Sequence, residues 1–258
     1  MSDLQVVVKR IQAQDAQLAY CCMTEVPTPW PEALCLCRGW IGQNLGRYAE
    51  GYHAQMPDSS GQVIGHLYYA PSDQALFPYE VEPGAAVMYC EWVQRRYQGH
   101  GVGRRLFDTL VANLRAQNCH GILIEGTDLE GQMDHRHYLA RGFQVVHESG
   151  RRKLLYFPLS RPAVQVRPLQ PSIAPRRGSP VEILILSGYL CPLDVSTQML
   201  LLEVAHEFGD QVVLRQELLT PETLRRYGVA NGVFINGRQK LVGAATEEAI
   251  RQAIAEEI

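Results

Sequence analysis

The stretch from Val87 to Leu114 constrains the fold most. Its apolar start, Val87-Met-Tyr-Cys-Glu-Trp-Val93, reads as a strand, and the polar Gln94-Arg95-Arg96-Tyr97 ends it. Gln98-Gly99-His100-Gly101-Val102-Gly103 follows. Beyond it Leu106, Phe107, Leu110, Val111 and Leu114 recur at helical spacing. Strand, glycine-rich turn and helix in that order require a layered α/β arrangement. The three alternating glycines remove side chains where backbone N–H groups at a helix start face an anion. A phosphate-bearing cofactor is the natural guest. The spacing is not that of a P-loop, Gly-x-x-x-x-Gly-Lys-Ser/Thr. Nor is it Gly-x-Gly-x-x-Gly with an acidic residue about 20 residues later, as dinucleotide binding requires.

The rest of the chain is read around that unit. At 258 residues the length suits about two domains, and 46% hydrophobic content can build real cores. Upstream, Leu4–Ile11 reads as a strand, Gln12–Met23 and Glu32–Leu45 as helices. Gly51–Met56 and Gln62–Tyr69 read as strands joined by an Asp58-Ser-Ser-Gly61 turn, and 72–84 as a loop. Downstream, Ile122-Leu-Ile124 marks a strand, Gly131–Arg141 a helix stopped by Gly142, and two further strands follow. The succession is mixed α/β on an antiparallel-rich sheet. Pro162, Pro168, Pro171, Pro175 and Pro180 then mark a stiff linker.

A net charge of −3 and a pI near 6.2 argue against general binding to nucleic acid or anionic membranes. No apolar run is long enough for a membrane span, and the N-terminus has no basic and apolar leader. Seven cysteines, an odd number, read as reduced thiols. The expected location is cytoplasmic. No metal site is expected. His135 and His137 lie two apart on a helix, so do Cys35 and Cys37, and Cys21-Cys22 has no second pair.

Gln98-Gly99-His100-Gly101-Val102-Gly103 after a strand resembles the acyl-CoA loop of the GNAT acetyltransferase superfamily. His137-Tyr138-Leu139-Ala140-Arg141-Gly142-Phe143, at the right distance beyond it, is similar to that family's Phe-Tyr-x-x-x-Gly-Phe signature. The resemblance covers roughly residues 4 to 158. It implies acetyl-CoA as co-substrate, its diphosphate on the amides of Gln98 to Arg104 (Gln98, Gly99, His100, Gly101, Val102, Gly103 and Arg104) and its pantetheine arm on the backbone of Val93. It also implies that the segment between the first two strands builds the acceptor pocket, with Trp30, Trp40 and Tyr48 as candidate walls and the 72–84 loop as a candidate cover. One departure is visible: many members carry Asn seven residues before the tyrosine, and here Gly131 stands there, with Asp128 or Gln132 as substitutes.

Acetyl transfer to an amine needs a held thioester, a neutral amine and a proton for the leaving thiolate. Tyr138 is the expected acid, because a phenol matches an alkyl thiol in acidity. Strand alternation places Tyr89, Glu91 and Val93 on one face and turns Cys90 away. Glu91 is therefore the candidate base, beside a structural ion-pair reading, with Glu125 and Asp128 as runners-up. Direct transfer is expected, to a small-molecule or protein amine.

From Val181 a new succession begins, β-α-β-α-β-β-α, with Cys191-Pro192 opening its first helix and Phe234-Ile235-Asn236-Gly237 late in it. It resembles a thioredoxin or glutaredoxin domain. Asp194 stands where that family has its second cysteine, and the flanking proline before Val233 is lost, so a binding or scaffold role is expected. The expected domains are 1–158, a 159–180 linker and 181–258. Two rival readings remain: a thiol-linked redox enzyme using Cys191, and a non-enzymatic acyl-CoA sensor.

Overall fold

A computed structural model describes the chain except residues 1–3, 26, 28–29, 58–60, 129–132, 177, 179 and 242–244. The Asp58-Ser-Ser-Gly61 turn, Gly131 and Gln132 therefore lie wholly or partly outside the described residues. In order, the elements are β1 (Val7–Arg10), α1 (Pro31–Asn44), β2 (Glu50–Gln55), β3 (Val63–Pro71), β4 (Tyr79–Val81), β5 (Ala86–Val93), α2 (Val102–Ala116), β6 (Gly121–Thr127), α3 (His135–Ala140), β7 (Gln144–Ser149), β8 (Arg152–Pro158) and β9 (Val166–Pro168). Then come β10 (Val181–Ser187), α4 (Pro192–His206), β11 (Val212–Leu218), α5 (Pro221–Tyr227), β12 (Gly232–Ile235), β13 (Arg238–Leu241) and α6 (Glu247–Ala255). The chain divides into two compact units: Met1–Val26, Ile41–Ala75 and Val81–Arg167 form the first; Pro27–Trp40, Leu76–Glu80 and Pro168–Ile258 form the second.

The first unit is built on a seven-stranded sheet, β1-β2-β3-β5-β6-β8-β7. Every neighbouring pair is antiparallel except β5 and β6. The apolar stripe of α2 lies against one face, where Leu106 and Leu110 are fully buried with Ile64, Met88, Ile122 and Leu155. Each such side chain contributes about 1.5–3 kcal/mol by leaving water. Cutting Leu106 or Leu110 back to Ala would cost about 2–5 kcal/mol.

Two local expectations are corrected. Residues 12–23 do not form one helix. They form two 3₁₀ segments, Ala13–Leu18 and Cys21–Thr24, with Tyr20 between them at φ 62°. The Tyr20 N–H donates to the buried Tyr68 hydroxyl at 3.0 Å, a tertiary bond that an α-helical path would forgo. Residues 72–84 are not all loop either: β4 pairs with β9, inside the proline-rich stretch, as a two-stranded sheet.

The second unit holds a four-stranded sheet, β11-β10-β12-β13. β10 and β11 are parallel; the other pairs are antiparallel. Ile183, Ile185, Leu201, Val204, Ile250 and Ile254 form its core, so α4 and α6 share one apolar layer with the sheet. Cys191 caps α4 and Pro192 opens it, where a missing N–H costs nothing.

Candidate active site

The parallel pair β5–β6 makes the site. Their register runs only Ala86↔Ile122, Val87↔Leu123 and Met88↔Ile124. Both strands continue, β5 to Val93 and β6 to Thr127, so they part into a wedge. At the point of parting β5 carries a bulge. Tyr69 opposes Met88 and Tyr68 opposes Cys90, which leaves Tyr89 as an extra residue. The bulge resets the alternation. Met88 packs on the α2 side, and two-residue spacing alone would send Cys90 there. Instead Glu91 and Val93 face α2, and Cys90 faces the opposite side of the sheet. Tyr89, the bulged residue, donates its hydroxyl to the Tyr48 carbonyl at 3.0 Å.

The glycine turn lies at the mouth of this wedge. Gly99 and Gly101 have φ of 75° and 79°, the left-handed region that side chains resist. Gly101 is the cap residue of α2, and no side-chain hydrogen bond caps that helix start. The first N–H groups are thus presented without an internal acceptor, and the helix dipole adds positive potential there. Gln98 closes the turn back on the strand, its Nε2 donating to the Val93 carbonyl at 2.9 Å. The Nδ1 of His100 lies 2.8 Å from the Gln98 carbonyl oxygen. Arg104 is exposed on the first turn of α2.

Gly103 serves by close approach. A Cβ there would come within 3.1 Å of both Glu91 Oε1 and Arg141 Nη2. Those two side chains form an ion pair, Arg141 Nη1 to Glu91 Oε2 at 2.6 Å. The Glu91 side chain is only 5% exposed, and its Oε1 is buried without a hydrogen-bond partner. Burial pushes the Glu91 carboxyl above its ordinary value, and Arg141 pulls it only part of the way back. The Arg141 guanidinium also lies 5.3 Å from the Phe107 ring centre.

Tyr138 stands on α3, which Asp134 caps by accepting from the Arg136 N–H. Gly126 lets that helix press on the end of β6; a Cβ there would meet His135 Cα at 2.9 Å. Tyr138 is therefore on the β6 side of the wedge and Glu91 on the β5 side. The phenol is buried, packs edge-on to Phe143 and donates to Met133 Sδ at 3.6 Å. Burial first, then the charges of Glu91 and Cys90, hold its proton on well above the ordinary phenol range.

Glu125 pairs with Arg152 at 2.9 Å and Asp128 with Arg151 at 2.8 Å, each with an exposed arginine. Trp30 and Trp40 fall in the second unit and Tyr48 in the first. Two residues that sequence reasoning did not single out are Arg141, the partner of Glu91, and His66, the partner of Cys90. Arg141 lies inside the Tyr138–Phe143 motif, but only the packing that brings the end of α3 to Glu91 reveals its contact.

Residues 17–143, just under half of the chain, match the family model described as the acetyltransferase (GNAT) family. Three solved structures are among those similar to the chain. The GNAT family N-acetyltransferase YhbS of Escherichia coli, in complex with CoA, is 18% identical at a TM-score of 0.45, over 60% of this chain and 82% of that one. A GNAT family acetyltransferase of Brucella melitensis, in complex with acetyl-CoA, is 20% identical at a TM-score of 0.40, over 63% and 94%. The ribosomal-protein-S18-alanine N-acetyltransferase of Escherichia coli is 16% identical at a TM-score of 0.43, over 62% and 97%. No curated protein matches the chain.

Proposed function

We propose that the protein moves an acetyl group from acetyl-CoA to a primary amine of a small molecule or a protein. The observation that carries this reading is the β5–β6 wedge with the uncapped start of α2 at its mouth. The amides from Gly99 to Arg104 hold the diphosphate, and the open edge of β5 from Tyr89 to Val93 accepts the pantetheine arm as an added strand. That places the thioester between β5 and Tyr138. Tyr138 keeps its proton until a thiolate forms and then donates it. A neutral amine attacks the acetyl carbon directly. Glu91 faces α2 and is engaged by Arg141, which favours a bracing role under Gly103; as a base it acts only through Oε1. The test is release of free CoA thiol from acetyl-CoA across a panel of amines. Tyr138→Phe should lower kcat by about 10²–10⁴-fold while calorimetry shows CoA affinity nearly intact. Equal loss of both would reject the acid role. CoA binding without thiol release on any amine would favour the sensor reading instead.

We further propose that the second unit is thioredoxin-like and serves binding rather than redox chemistry. The strand order β11-β10-β12-β13, with only β10 and β11 parallel, supports the first half. Cys191 at the start of α4 would favour a thiolate there. Asp194, in the first turn, accepts from the Asn231 side chain and supplies negative charge in place of a resolving thiol.

A further inference from the structure

The proline-rich stretch after Pro168 is a strap fastened to the second unit at two points. The Ser172 N–H donates to the Arg226 carbonyl at 2.9 Å, and the Arg176 N–H to the Asn236 carbonyl at 2.8 Å. Arg176 also pairs with Glu182 at 3.0 Å. At each point a glycine lets the strap come close. A Cβ on Gly228, at φ 69°, would lie 3.1 Å from the Pro171 nitrogen. One on Gly237, at φ 74°, would lie 2.6 Å from the Ala174 carbonyl oxygen. Between the fastenings Pro175 has no N–H to give, and it keeps Ala174 extended. The strap therefore spans from the end of α5 to the turn between β12 and β13 without a sheet ladder to pull it down.

Strap and body enclose a cavity of about 410 Å³. Pro171, Ile173 and Pro175 line it from the strap, and Tyr227 and Phe234 from the body. The two rings are buried and pack 5.2 Å apart at 46°. The Tyr227 hydroxyl is engaged by Glu217 at 2.8 Å, so the ring is what it offers the cavity. Volume and lining suit a small molecule, for which sites run to about 300–1,000 Å³ of mostly apolar wall with a few polar groups. Among the described residues the lining has one charged side chain, Arg238, the exposed first residue of β13. Glu257, close enough to feel that charge, hydrogen-bonds Lys240 at 2.9 Å instead.

We propose that this cavity binds a small aromatic carboxylate, its ring against Tyr227 and Phe234 under the strap and its carboxylate on the Arg238 guanidinium. A flat ring packs on aromatic faces and proline rings with little loss of its own freedom. The guanidinium presents two parallel N–H donors that match the two carboxylate oxygens. A lone cation in an apolar lining repels amines and gives a neutral ring nothing to pair with. The enclosed volume takes a small ring system and excludes a folded partner. The proposal gives a ligand class to the binding role read for the second unit, and it requires no step of acetyl transfer.

The test titrates the full chain with naphthoate by calorimetry, beside neutral naphthamide and aliphatic decanoate. Naphthoate should saturate a single site at least about tenfold more tightly than either, with CoA not competing. Arg238→Met should cut naphthoate affinity by at least about tenfold and leave naphthamide where it was. Arg238 is exposed, so this variant should melt as the wild type does and release CoA thiol with amines at the same rate. Ile173→Trp, which fills the cavity from the strap, should abolish binding of both ring compounds. No saturable naphthoate binding, displacement by CoA, or an affinity unmoved by Arg238→Met overturns the proposal. Equal affinity for naphthamide overturns the role of the charge, and equal affinity for decanoate overturns the aromatic class. The binding role of the second unit fails separately, if Cys191→Ser removes activity on every amine.

Discussion

At the scale of the residue, each glycine of the turn has its own reason. Gly101→Glu puts a side chain on a backbone at φ 79° and a negative charge at the start of α2. CoA affinity measured by calorimetry should fall more than about tenfold, about 1.4 kcal/mol, beyond the roughly 1–2 kcal/mol of stability that a left-handed backbone costs a non-glycine residue. An unchanged affinity would remove the turn from the binding site. Glu91 separates two roles. Glu91→Gln keeps the shape and loses the charge. If the carboxylate braces Arg141, the variant should weaken CoA binding and stability while kcat at saturation holds. If it is a base, kcat should fall and the acid limb of its pH profile should vanish. Arg141→Met leaves a buried carboxylate alone and should cost about 3–5 kcal/mol in chemical denaturation. A double change with Glu91→Gln should recover part of that.

At the scale of the element, the strand–turn–helix from Val87 to Leu114 was legible because every local preference agrees there. Apolar run, glycines and helical periodicity all point one way. Elsewhere tertiary contacts decide. No period-2 rule places a bulge, so alternation carries Glu91 to the face of Val93 but does not extend across the extra residue Tyr89. The 12–23 stretch has helical composition but gives up the helix for the Tyr20–Tyr68 bond. β4 and β9 are three residues each and flanked by proline, too short for a pattern. The histidine-bearing strands β2 and β3 carry their own consequence. Burial lowers His53 to about 4 and His66 to about 3. Their unfolded values lie near 6.5. The unfolded chain then binds more protons below that pH, so this stability is fully present above 6.5 and drains away as pH falls toward 4 and 3. Each histidine should contribute a slope of about 1.4 kcal/mol per pH unit within its window. Urea midpoints at pH 7 and 5 should show the loss, and His53→Gln should flatten it; a pH-independent midpoint would show these imidazoles are not held neutral.

At the scale of the whole molecule, the chain is two compact units whose membership does not follow sequence order, since 27–40 and 76–80 group with the C-terminal residues. Length and proline spacing lead to the expectation of two bodies of chain. They do not show which loop joins which body, because that depends on long-range packing. Cys191→Ser should leave CoA release with amines unchanged, as measured by free thiol; a matching loss on every amine would tie the second unit's thiol to the chemistry. At the candidate site, the motifs in the sequence single out Tyr138 and the glycine turn, while the contacts of Arg141 and His66 come only from the register of strands and helices.

The most direct measurement is a crystal structure of the protein soaked with CoA. The diphosphate should lie on the amides between Gly99 and Arg104, the pantetheine arm along β5 from Tyr89 to Val93, and the sulfur within hydrogen-bond reach of the Tyr138 hydroxyl. CoA bound elsewhere, or a sulfur beyond that hydroxyl's reach, would contradict the wedge as the catalytic centre.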